Sequence, residues 1–134
     1  MAACPLQSRP QRNAMKLLLA ILPTVILTLY SQFITKWRIG VLADQVGSAT
    51  ALARIIRYLS DPLVLSSYAM TLIASFAWFA VLERYELSLA YPIFIGVMFA
   101  SVTAGGMIFF GEPVTAMRLL AIVLIFMGII AGTR

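Results

Sequence analysis

An all-α integral membrane fold is what this sequence predicts: a four-transmembrane-helix bundle with a short interfacial amphipathic helix between helices one and two. Three observations carry it. The 134 residues are 62% hydrophobic and 11% charged, with a mean hydropathy of +0.98, more apolar side chain than a soluble domain of this size can keep off its surface. The apolar residues fall into four runs bounded by charges. The longest, Leu87 to Gly111, holds 25 residues without a charge between Glu86 and Glu112; at about 1.5 Å per helical residue it outspans a hydrocarbon core of about 30 Å.

Residues 1–14 carry Pro5, Arg9, Pro10 and Arg12 with no hydrophobic period, the pattern of a disordered tail. Residues 15–134 then make a single transmembrane domain, and Met15-Lys16 is a natural start of synthesis. A basic tail before an apolar run resembles a signal peptide. However, Leu17 to Thr35 is 19 uncharged residues with no small-residue cleavage site before Lys36, so it is read as the first span, about 17–36. In it Thr24, Thr28, Ser31 and Thr35 recur at helical spacing and share one face. That face either packs against another helix or lines an interior surface. Pro23 removes a backbone hydrogen bond and predicts a kink.

The stretch Lys36 to Asp61 is the longest connection, with Lys36, Trp37 and Arg38 as interfacial anchors. Inside it Leu52, Ile55, Ile56 and Leu59 lie on one helical face with Arg54 and Arg57 on another, which predicts a short amphipathic helix on the bilayer surface. Asp61-Pro62 is a helix start: Asp61 caps free N–H groups and Pro62 suits the first position, where no donor is needed. The second span is 62–82, with Ser67, Thr71, Ser75 and Trp78 forming a second polar and aromatic stripe. Glu83 to Glu86 is a tight turn into the third span, 87–110. There Gly96, Ala100 and Thr103 offer a small-residue face. Gly111-Glu112-Pro113 breaks that helix and starts the fourth, 114–133, with Glu112 as a cap by charge and Pro113 by fixed dihedral. Arg118, in the first turns of that helix, opposes the helix dipole. It either snorkels to the headgroups or joins the free N–H groups in holding an anion such as a lipid phosphate.

Composition excludes several classes of function. The chain has no His and a single cysteine, Cys4, so a metal site, a disulfide framework and a Cys/His nucleophile are all unsupported. No enzyme activity and no cofactor are expected. A net charge of +5 would suit nucleic acid if it were clustered. The basic residues instead mark the ends of apolar runs, where they anchor to membrane lipids. With four spans both termini share one side, which carries Arg9, Arg12, Lys16, Arg84 and Arg134; the other side carries Lys36, Arg38, Arg54, Arg57 and Arg118. This balance predicts weakly fixed or dual insertion, whereas a start at Met15 would tilt it. An antiparallel pair would set two polar stripes around one chamber at the midplane.

The segments Ala90-Tyr91-Pro92-Ile93-Phe94-Ile95-Gly96-Val97, Phe110-Gly111-Glu112-Pro113 and Gly128-Ile129-Ile130 resemble the small multidrug resistance family of the drug/metabolite transporter superfamily. The likeness covers all four spans. It implies a substrate chamber built by helices one to three, dimer contacts through helix four, and an antiparallel dimer. By this resemblance Tyr91 matches the chamber tyrosine, Gly96-Val97 the hinge, and Phe94 a position held by tryptophan in drug exporters. Aligning Lys36 with the lysine that ends the family's first span puts Thr28 where the exporters carry a membrane-embedded glutamate. Asp44, Asp61, Glu83, Glu86 and Glu112 all sit at span ends or in loops, so no acid remains inside a span to attract a cation and titrate.

A second branch resembles the chain more closely: the paired small subunits associated with flipping undecaprenyl-phosphate-linked aminoarabinose, and related polyprenyl-sugar translocases. They share the Ala-Tyr-Pro element and the Glu-Pro before helix four. The resemblance implies a bacterial inner-membrane carrier that moves a lipid-linked sugar or similar amphiphile. Its partner would be a second copy or a similar small subunit, and Thr28, Lys36, Trp78, Tyr91, Phe94 and Arg118 would be its substrate-binding residues. Two other expectations stand beside it, a proton-coupled exporter of cationic compounds and a non-transporting accessory subunit of a membrane glycosyltransferase.

Overall fold

The computed structural model describes residues 10–47 and 49–132, with side chains from Met15 onward. Among them the chain is all-helical: α1 (Pro10–Val46), α2 (Ala51–Leu59), α3 (Pro62–Leu82), α4 (Leu87–Phe110) and α5 (Ala116–Gly132). Three stretches, Met15–Val46, Pro62–Leu82 and Leu87–Phe110, are long and apolar enough to cross a membrane, and α5 is a shorter apolar helix. Of the expected tail, residues 1–9 lie outside the described residues, as do 133 and 134, while residues 10–14 belong to α1.

The first helix is longer than the expected 17–36 span, because its continuation is fastened from outside. Leu42 and Val46 are 3% and 8% exposed, one and two turns beyond Arg38, so the extension has a buried face of its own. It stops at Gly47, whose φ of +23° ends the helical run. The Thr50 side chain caps α2 by accepting from the Ala53 N–H at 3.5 Å. No residue of α2 is buried in the chain, and Leu52, Ile55, Ile56 and Leu59 present an open apolar face.

Asp61 starts α3 as its sequence position predicts, and it does more. Its Oδ1 accepts from the Leu63 and Val64 N–H groups at 3.0 and 3.2 Å and from Arg38 Nε of α1 at 3.2 Å, while Arg38 Nη2 bonds Oδ2. One carboxylate thereby caps α3 and ties it to α1. The Arg38 hydrogen bond, helped by the two backbone donors, holds the Asp61 carboxyl below the ordinary 3.8 against the opposing effect of its desolvation. The folded form therefore prefers the carboxylate more than the unfolded chain does. Its stabilisation is full above that ordinary value and is lost as pH falls through the lower folded one. Thermal unfolding followed between neutral pH and about pH 3 should show wild type losing more stability than Asp61→Asn, which keeps a capping side chain but not the charge. Parallel pH curves would remove this role.

The α1 and α3 helices form the principal seam, and the two hydroxyl stripes meet along it. Thr35 and Ser67 hydroxyls lie 2.7 Å apart; Ser67 gives its proton to the Val64 carbonyl at 2.7 Å, which leaves Thr35 as donor. Thr71 donates to Ser31 Oγ at 2.7 Å. At the far end Leu17, Ile21, Val25, Val81, Ala90 and Ile93 make the apolar core. The α4 helix crosses α1 closely at Gly105, under the Phe33 ring, and meets α5 at Gly96, under Ile125 and Ile129.

The start of α5 differs from expectation. Gly111, at φ +62°, reverses the chain so that the Glu112 N–H closes on the Gly106 carbonyl at 3.2 Å. Residues 111–115 are not helical. The helix begins at Ala116 rather than Val114, and Thr115 Oγ1 accepts from the Arg118 N–H at 3.3 Å in the capping role expected of Glu112. Glu112 is drawn elsewhere, to Lys36 Nζ at 3.0 Å.

Only 28%, 22% and 22% of the apolar windows in the three long stretches are buried within the chain. Side chains such as Leu65, Leu72, Ile108 and Phe109 are 60–70% exposed. So much outward apolar surface has the character of a membrane protein.

Candidate functional site

The two stripes have different fates along their length. Where α1 and α3 touch, near Thr35 and Ser67, the hydroxyls satisfy one another. Toward Thr24 and Trp78 the hydroxyls of Thr28 and Ser75 turn to their own helices instead of across the seam, and α4 contributes Tyr91 and Phe94 to the same wall. A cavity of about 300 Å³ results, lined by Thr24, Thr28, Thr71, Ala74, Ser75, Trp78, Phe79, Tyr91 and Phe94. Helical period explains the gathering: residues three or four apart on α1 and on α3 face the same gap.

Its aromatic wall is built from three rings. Trp78 lies 5.0 Å from Phe94 at an interplanar angle of 46° and 6.4 Å from Tyr91 at 69°, both within the favourable range for tilted ring pairs. The hydroxyl wall is partly committed. Thr28 donates to the Thr24 carbonyl at 2.7 Å and Ser75 to the Thr71 carbonyl at 3.1 Å, so each keeps lone pairs but no proton for a ligand. Thr24 is different. Its residue is 4% exposed, and its Oγ1 is the single buried side-chain polar atom without a hydrogen-bond partner among the described residues. Such an atom costs a fold about 1 to 3 kcal/mol unless something bonds it.

No charged residue lines the cavity. It can receive an uncharged, hydroxylated group with one apolar face laid against the rings; the Thr24 hydroxyl, enclosed in the empty cavity, reaches such a group only when its side chain turns. It has no group that would bind a metal or exchange a proton with a cation. Among the described residues no cluster of His, Cys, Asp or Glu could hold a metal ion.

Of the six residues expected to bind substrate, Thr28, Trp78, Tyr91 and Phe94 are brought together here. Lys36 and Arg118 are not. Lys36 lies two turns of α1 beyond Thr28, about 12 Å along the axis, and is paired with Glu112; with side chains 61% and 40% exposed, that pair contributes less than about 1 kcal/mol. Arg118 is exposed and reaches the Pro113 carbonyl at 3.4 Å. Thr24, Thr71, Ser75, Ala74 and Phe79 complete the lining. The first three already stood on the polar stripes, whereas nothing local marks Ala74 or Phe79.

A larger groove of about 560 Å³ runs between α4 and α5, past Ile95, Ile125 and Ile129, with Glu86 and Ser88 at its mouth. It is the less specific of the two, because its polar groups sit at one end instead of converging. Candidacy therefore goes to the smaller cavity. No family model matches the chain, and neither a curated protein nor a solved structure matches it.

Proposed function

We propose that the chain is a small carrier of the bacterial inner membrane, working as an antiparallel dimer to move a polyprenyl-phosphate-linked sugar or a similar amphiphile between leaflets. In this reading α1, α3, α4 and α5 are four spans and α2 lies along the membrane surface. The observation that carries it is the cavity of hydroxyls and aromatic rings with no carboxylate in its lining. A sugar offers hydroxyls to the accepting oxygens of Thr28 and Ser75, and to Thr24 once its side chain turns, and a flat C–H face to Trp78; its lipid tail needs an apolar route, which the exposed flanks of α3 and α4 supply. A cation exporter would need an acid in that cavity, and Thr28 stands there instead.

Geometry supports the span count and the pairing. The 17 residues of α5 reach about 25 Å, at the short end of what crosses a bilayer. The open apolar face of α2 suits the lipid interface. A cavity of about 300 Å³ holds a single sugar ring but not a whole amphiphile, so a second copy facing it would complete the passage.

The experiment is translocation in proteoliposomes. A fluorescent lipid-linked sugar analogue is placed in both leaflets, and the outer-leaflet population is bleached by a membrane-impermeant reductant. The carrier should let the whole population bleach without releasing protons. Proton-coupled export of a cationic dye, with the sugar lipid left in its leaflet, would overturn the proposal.

A further inference from the structure

A second polar cavity lies well away from the first, where α1 runs past its membrane-length segment. From Leu17 to Lys36 that helix covers about 30 Å, the thickness of the hydrocarbon core. The residues Arg38 to Val46 extend about 13 Å further, through headgroup depth. There the extension of α1, the end of α2 and the start of α3 enclose a niche of about 350 Å³. Its polar lining is Arg38, Gln45, Arg57, Ser60 and Asp61, and Leu42 is its apolar floor.

The charges in this niche do not cancel. Asp61 is consumed by Arg38 and by two backbone N–H groups, so it presents no free carboxylate. Arg38 spends two of its five N–H donors on that bond, and its guanidinium rests 5.6 Å from the Trp37 ring, which fixes the plane of the rest. Ser60 gives its proton to the Ile56 carbonyl at 2.7 Å. Arg57 has no partner among the described residues, and neither does the Gln45 amide. The niche therefore holds one uncompensated positive charge, spare guanidinium donors from two elements, and an amide, all at the depth where lipid phosphates lie.

We propose that this niche binds a phosphate group at the membrane surface, cradled between Arg57 and the outward N–H groups of Arg38. The inference uses the surface placement of α2 but not the carrier reading. A non-transporting chain would still bind phosphate here, and a carrier without the niche would still flip its substrate. Arginine on both sides suits the ligand, since a guanidinium bonds two phosphate oxygens at once.

The test compares two arginines on one helix. Arg54 and Arg57 carry the same charge, but only Arg57 lines the niche. Full-length protein in a non-ionic detergent is mixed with phosphatidylglycerol and read by native mass spectrometry, with and without excess inorganic phosphate. Arg57→Gln should lower lipid retention about tenfold, the value of one charge-assisted hydrogen bond, and Arg54→Gln less than about twofold. Arg57→Lys, keeping charge without the fork, should fall between them. Displacement of the lipid by inorganic phosphate would mean that the niche accepts phosphate from solution; retention would mean that it requires a lipid headgroup. Equal losses in Arg54→Gln and Arg57→Gln would show diffuse attraction and overturn the proposal, as would no loss in either. Arg57 is exposed on a helix with no buried residue, so its replacement leaves the fold standing.

Discussion

Gly105→Ala lowers the stability of the bundle by about 1 to 3 kcal/mol, as overpacking at a closed contact does. A Cβ at Gly105 would overlap the Phe33 ring of α1, touching three of its atoms. The ring cannot easily turn aside, because Phe109 and Phe110 flank it at 5.6 and 6.2 Å. The α4 helix must then lift from α1, and the cavity wall formed by Tyr91 and Phe94 would move with it. Other glycines give the contrast. Gly40 and Gly128 face open space, and alanine there should be neutral or stabilising by up to about 1 kcal/mol through helix propensity. Gly96 falls between, since its nearest neighbour is the free end of Ile129 at 2.6 Å, which can rotate away. Denaturant titration in detergent, read by circular dichroism, gives the order. Phe33→Leu should recover most of the loss in the Gly105→Ala background and cost stability by itself, a coupling that a double-mutant cycle measures. Equal stabilities for Gly105→Ala and Gly40→Ala would show that the helices do not meet there.

What the sequence makes legible is what local chemistry decides. The bounds of α3 and α4 follow from charges and caps within a few residues of their ends: Asp61-Pro62 before one, the Glu83 to Glu86 turn between them, Gly111 after the other. The length of α1 does not, because its extension past Lys36 is held by Leu42, Val46 and the Arg38–Asp61 bond, all tertiary. The same limit explains Glu112. Beside Pro113 it reads as a cap; in the fold its strongest neighbour is Lys36, on another helix. Helical spacing put Thr28 and Trp78 on the faces that meet at the cavity, since periodicity reports which residues share a face. Lys36 and Arg118 were grouped with them by chemical type, and type carries no position. The unpartnered state of Thr24 was hidden for a related reason. Four hydroxyls at helical spacing look alike, and only the tertiary neighbours decide which of them finds a partner.

That difference yields a prediction of two opposite signs. Thr24→Val removes a buried hydroxyl with no partner and keeps the side chain's shape, so it should stabilise the protein by about 1 to 3 kcal/mol. If the Thr24 hydroxyl, enclosed in the empty cavity, turns to meet the ligand, the same change should weaken binding of the lipid-linked sugar analogue about tenfold, the value of one hydrogen bond to a site that otherwise leaves a group unsatisfied. Thr35→Val is the control, because the Thr35 hydroxyl is bonded to Ser67 at 2.7 Å and lies outside the cavity. That variant should lose stability and leave binding unchanged. A structural hydroxyl gives stability when present, whereas a recognition hydroxyl held empty costs stability until its ligand arrives. Thermal unfolding and analogue binding on both variants separate the two cases. If Thr24→Val were destabilising with normal binding, its hydroxyl would be bonding the carbonyl one turn back in its own helix, as threonine can, and the cavity would lose its polar contact.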